Sequence, residues 1–146
     1  MKDKLNIDTL LEMTRNAGSS IREKAVAAGQ AAMDNTILAI EKWLEEFPKI
    51  EGYGLQVSNF SFAVGLMPAL EVELSGSHFS FPPEKLSEIL AENKTGSLAW
   101  MVFNAVKTAY RLHEKIAKTR EEPLIVKVRL SLSPEISVFV GRPNVR

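Results

Sequence analysis

Between Val126 and Leu132 apolar and polar side chains alternate without a slip. Leu124, Val126, Val128, Leu130 and Leu132 fall on one parity, with Lys127, Arg129 and Ser131 on the other. A period of two has one economical solution, a β-strand with one face buried and one wetted. Leu70, Val72 and Leu74 against Glu71, Glu73 and Ser75 give a second such strand. Since neither strand can bury its apolar parity alone, the chain must build a sheet and then cover one side of it.

The intervening segments supply the rest. Leu55 and Val57 share a parity, whereas Phe60, Phe62, Val64 and Leu66 take the opposite one, so a strand is expected here with a bulge or a break near Ser58-Asn59. Met67-Pro68 turns it into the strand at Leu70, making a hairpin. Ser133-Pro134-Glu135 likewise turns Leu124–Leu132 into a last strand carrying Ile136, Val138 and Val140. Helical spacing fills the remainder. Pro82-Pro83-Glu84 opens a helix to about Asn93. Another starts at Thr95-Gly96-Ser97 and runs to about Lys118, with Leu98, Met101, Val102, Ala105, Ala109, Leu112 and Ile116 as its main stripe, widened by Trp100, Phe103 and Tyr110.

Near the N-terminus, residues 5–17 read as a short helix ended by Gly18. Ser20 and Glu23 have the spacing of a capping box. From there a long helix is expected up to Phe47, where Pro48 forbids continuation. Met33, Ile37, Ile40, Leu44 and Phe47 form its stripe. At 1.5 Å per residue it would measure ~42 Å, against ~38 Å for a globule of this size. Its first half, Ala25-Val26-Ala27-Ala28-Gly29, has little apolar area with which to hold a core.

The fold expected is therefore α+β, in the order α-α-β-β-α-α-β-β, with a four-stranded antiparallel-rich sheet and helices packed on one face. Residues 1–146 form a single domain, in which 1–19 are an N-terminal helical segment, mobile or engaged in assembly. If the strands at Leu70 and Leu124 are neighbours, Glu71 and Glu73 meet Lys127 and Arg129 across the seam.

Charge sums to zero but is unevenly spread: residues 34–92 hold three basic and ten acidic side chains, and residues 107–146 hold nine basic and four acidic. Such polarity suits contacts within one fold or between copies. The chain contains no cysteine, which excludes disulfides and thiolate chemistry and fits a reducing compartment. With no export signal and no run of apolar residues that would cross a membrane, the cytoplasm is expected.

Chemical motifs are few. His78 and His113 stand in unrelated contexts without zinc-ligand spacing, so no metal site is expected. Glu71 and Glu73 resemble the solvated side of a strand more than an acid–base pair. No phosphate loop, dinucleotide fingerprint or nucleophile elbow occurs. No catalytic residue and no cofactor are assigned, and an enzyme would have to use Glu71, Glu73, His78 or His113. Phe60, Phe62, Phe79 and Phe81 fit either a filled core or a pocket for an apolar ligand.

Two surfaces remain. One is the long helix, through Val26, Met33 and Ile37. The other is the basic series Lys107, Arg111 and Lys115, spaced by four and extended by Lys118 and Arg120. The function expected is a non-catalytic protein–protein interaction or self-assembly module using the long N-terminal helix, the partner a second copy or another protein. The alternative is a protein that binds lipid, an apolar ligand or an anionic membrane surface. Overall neutrality and the absence of a nucleic-acid motif argue against nucleic acid.

Overall fold

The computed structural model describes residues 17–143, with the backbone alone for 17–23 and 25–28. The order of elements is α1 (Ala17–Leu44), α2 (Phe47–Gly52), β1 (Gln56–Ala63), β2 (Ala69–Gly76), a 3-10 turn (His78–Ser80), α3 (Pro83–Glu92), α4 (Leu98–His113), β3 (Leu124–Leu130) and β4 (Pro134–Val140). This is the α+β order expected. The chain divides between Asn35 and Thr36, inside α1, into two compact units. In the N-terminal unit the described side chains from Gly29 to Asn35 are exposed, apart from the half-buried Met33. Everything below concerns the unit that begins at Thr36.

Its centre is one antiparallel sheet in the order β1-β2-β3-β4. Leu70, Val72 and Leu74 of β2 lie on the same face as Val126, Val128 and Leu130 of β3, and all are buried. On the other face Glu71 stands opposite Arg129 and Glu73 opposite Lys127. The Arg129 Nε–Glu71 Oε2 separation is 3.8 Å and both side chains are about half exposed. Of the two charge pairings expected across the seam, Glu71–Arg129 is within ion-pair distance and Glu73 faces Lys127 in register alone; exposed pairs of this kind contribute ~0.2–1 kcal/mol.

The inner face is covered chiefly by α4, which packs on β4 and β3. Phe103, fully buried, forms its anchor, with Phe81 at 5.5 Å and Tyr53 edge-on at 5.4 Å between ring centroids. Two devices fix where α4 begins. Ser97 Oγ accepts from the Trp100 N–H at 3.2 Å. The Glu46 carboxylate accepts from the N–H groups of Leu98 and Ala99, each at 3.1 Å. Three free donors of the helix terminus are thereby satisfied, and a negative charge sits at its positive end.

Several boundaries differ from the sequence expectation. Gly18 and the Ser20–Glu23 box lie inside α1, because an interior glycine costs only ~1 kcal/mol and need not stop a helix. The expected helix over 5–17 lies outside the described residues, except for Ala17. α1 ends at Leu44, and Pro48 falls in the first turn of the separate short helix α2, where its missing N–H costs nothing. β1 stops at Ala63, which leaves Val64 and Leu66 in the hairpin loop. α4 ends at His113 and not near Lys118. Its buried stripe is Leu98, Ala99, Val102, Phe103, Val106 and Tyr110, rotated toward the large rings, so that Leu112 and Ile116 are exposed. Beyond His113 the chain reverses and lays Arg120 over the Tyr110 ring, with Cζ 3.9 Å from the ring centre; continuing the helix to Lys118 would forbid that return.

Candidate functional site

The apolar surface of this unit is concentrated at β1. The bulge expected at Ser58 is present as a register shift between Val57 and Asn59. It brings Val57, Phe60 and Phe62 opposite Leu74, Val72 and Leu70, onto the inner face of the sheet. Yet α4 lies over β3 and β4, and all eight residues of β1 are exposed. Phe60 is 61% exposed and Phe62 44%. The loop adds Val64, Leu66 and Met67, and α1 adds Leu38, all exposed. Thr36 Oγ1 donates to Met67 Sδ at 3.5 Å, which ties the start of this unit to the hairpin loop.

Among the described residues β1 pairs with β2 alone, which leaves its outer edge without a neighbouring strand. No charged residue occurs from Gly52 to Leu70. Edge strands are ordinarily blunted by lysine, proline or an inward charge. The opposite edge, β4, follows that rule by opening on Pro134 and Glu135. β1 has only its bulge, which leaves Asn59–Ala63 in regular register.

Among the described residues, the four phenylalanines weighed from the sequence do not gather into one pocket. Phe81 is fully buried in the core, whereas Phe60, Phe62 and Phe79 are exposed.

A second locus gathers the ionisable residues. His78 and His113, 35 positions apart, line one crevice of about 380 Å³ with Glu114, Lys118, Arg120 and Glu122. His78 is buried. Its Nε2 lies 2.7 Å from the Glu121 carbonyl oxygen. A carbonyl only accepts, so Nε2 carries the hydrogen. In the neutral ring Nδ1 then accepts from the Tyr110 hydroxyl at 2.6 Å. The His78 backbone N–H donates to the Glu122 carboxylate at 3.1 Å. Burial foremost, and the nearby Glu122 charge, push the Tyr110 phenol up to about 12, against the opposing pull of Arg120. Tyr110 therefore stays protonated and remains a donor. Both nitrogens of His78 are committed within the protein, so the ring acts as a strut between α4 and the Glu121 loop. Glu71 and Glu73 stand on the other face of the sheet and do not join it.

Of the other residues singled out in the sequence, Val26 lies in the part of α1 described by backbone alone. Met33 and Ile37 are half-buried, in different units. Lys107, Arg111 and Lys115 are exposed, but they do not act as one row. Lys107 and Arg111 line a cleft of about 170 Å³ with Arg120, Ser87 and Glu114. Lys118 lines the histidine crevice, and Lys115 lines neither. The exposed β1 face was not read from the sequence as a surface, although the uncharged run from Gly52 to Leu70 signals it.

Among the described residues no group of three or more His, Cys, Asp or Glu side chains is placed to hold a metal ion. No described helix is long and apolar enough to cross a membrane. No family model, curated protein or solved structure matches the chain.

Proposed function

We propose that the protein is a non-catalytic self-assembly module of the cytoplasm, and that the contact between copies is the edge strand β1. The observation that carries this reading is an eight-residue edge strand, exposed throughout, without a charge, and bearing two large aromatic side chains. Its outward N–H and C=O groups are a template for one more strand. An identical strand, antiparallel about a two-fold axis, meets it with no like-charge penalty. Asn59–Ala63 supplies the regular register for that pairing. A two-fold axis perpendicular to the sheet keeps the same face uppermost in both copies, so Phe60 and Phe62 of one copy adjoin those of the other.

The magnitude is adequate. Phenylalanine rings bury ~150–250 Å² each, so these two leave roughly 200 Å² in water per copy. Covering that area is worth about 5 kcal/mol per copy at ~25 cal/mol per Å², before the cost of association. The long helix α1 contributes Leu38, 61% exposed, as a further apolar contact. A cysteine-free chain agrees with a reducing compartment.

The test is sedimentation equilibrium of the full chain at tens of micromolar, beside the double variant F60K/F62S. The wild type should sediment at twice the chain mass and the variant at the chain mass, with unchanged far-ultraviolet circular dichroism. A monomeric wild type, or a variant that keeps the dimer mass, refutes the proposal.

A further inference from the structure

We propose that the cleft between α3 and α4 is a binding site for a phosphate monoester group. Lys107 and Arg111 lie one turn apart on the same side of α4, roughly 6 Å between their Cβ atoms. Both are exposed, and neither has an ion-pair partner among the described residues. Arg120 forms the far wall of the same cleft. Its guanidinium is fixed in advance, stacked on Tyr110 at 3.9 Å and held by Glu114 through Nη2 at 3.1 Å. Ser87 of α3 adds a hydroxyl to the lining. Three cations thus surround one carboxylate, and that carboxylate is already paired with Arg120.

The surplus of two positive charges suits a dianion. Arginine forks present paired donors to tetrahedral oxygens, and a guanidinium already ordered loses little entropy on binding. Arg120 Nε is buried and has no hydrogen-bond partner among the described residues, so Glu114 does not satisfy every donor of this guanidinium. The size of the cleft favours a discrete group over a polymer: about 170 Å³ admits a phosphate and a few attached atoms. The basic residues also fail to form the continuous track that a polyanion needs, since Lys115 is outside the cleft and Lys118 lines the histidine crevice. The same phosphate could reach the cleft on a soluble ester or on a lipid headgroup.

The experiment is isothermal titration of the full chain with inorganic phosphate at constant ionic strength, for the wild type, R111Q and K107Q. Both substitutions are at exposed positions and leave the core untouched. The wild type should bind, and each variant should bind at least about tenfold more weakly, a difference of ~1.4 kcal/mol. No binding by the wild type, or equal affinity in R111Q, overturns the proposal. A second arm uses phosphatidylcholine vesicles containing phosphatidic acid, a monoester, or phosphatidylglycerol, a diester. Co-sedimentation with phosphatidic acid alone, lost in R111Q, supports a lipid-borne phosphate. No co-sedimentation with either, while inorganic phosphate binds, supports a soluble ester. Equal co-sedimentation with both, unchanged by R111Q, reports diffuse surface charge and overturns the site.

Discussion

Replacing Tyr110 by phenylalanine tests the buried strut directly. The ring is 4% exposed, and its edge-to-face contact with His78, 5.3 Å between centroids, survives the change. What disappears is one hydroxyl, and with it the hydrogen that His78 Nδ1 accepts at 2.6 Å. His78 itself is 6% exposed, which gives water little access to the vacated position. A buried acceptor left without a partner costs ~1–3 kcal/mol. For a unit of this size about 1 kcal/mol corresponds to roughly 4 °C in Tm, so a fall of about 4–12 °C near pH 8 is expected. The difference should also depend on pH. The unfolded phenol loses its proton near its usual pKa of 10.0, whereas the folded one holds it to about 12. Between those values unfolding releases a proton, and rising pH favours the unfolded state by ~1.4 kcal/mol per unit. The wild type therefore has its full tyrosine contribution below pH 10 and loses it as pH climbs toward 12. Y110F has no such term. Urea unfolding followed by circular dichroism at pH 8, 10 and 11.5 measures both effects. A variant within about 0.5 kcal/mol of wild type at pH 8, or a gap that stays constant to pH 11.5, refutes the strut.

Two further substitutions probe the scaffold. Glu46→Ala removes the acceptor of two backbone N–H groups at the start of α4 and should cost about 1–2 kcal/mol, read as a lowered urea midpoint with Glu46→Gln intermediate. Gly76→Ala places a Cβ 2.9 Å from the Gly54 carbonyl oxygen and 3.1 Å from Leu55 Cδ2, and should destabilise by ~1–3 kcal/mol; Gly65→Ala, with nothing within 4 Å of the added carbon, serves as the control and should leave Tm within a degree or two.

The sheet was legible because its signals are local. A period of two, a phase slip at Ser58 and glutamates facing basic residues all follow from side-chain parity, and the observed register reproduces each. Helix ends were less legible because their determinants are distant. α4 stops where Arg120, seven residues past its end, folds back over Tyr110, and it starts where Glu46, 51 positions before Ser97, supplies its cap. The strut was hidden for the same reason: His78 and Tyr110 are 32 positions apart. The alternation in β1 correctly implied one apolar parity. It carried no information on whether a helix would lie over that parity, because coverage depends on which strands α4 chooses. Lys107 and Arg111 share one face of α4 as read, whereas Lys115 lies beyond its end at His113, and the reversal there decides which of the three share a cleft with Arg120.

The placement of α4 connects the two surfaces and also separates them. By packing on β4 and β3, it leaves the inner face of β1 bare, and the same position sets its outer side against α3 to form the cleft lined by Lys107 and Arg111. β1 and β4 are the two edges of the sheet, three strand spacings or ~14 Å apart. No residue belongs to both surfaces, and substitutions at such a distance without shared partners act additively. F60K/F62S should thus leave the affinity for inorganic phosphate unchanged, and R111Q should leave the sedimenting mass unchanged. A loss of phosphate binding on breaking the β1 contact would mean that the second copy completes the cleft, and the two surfaces would then have to be treated as one site.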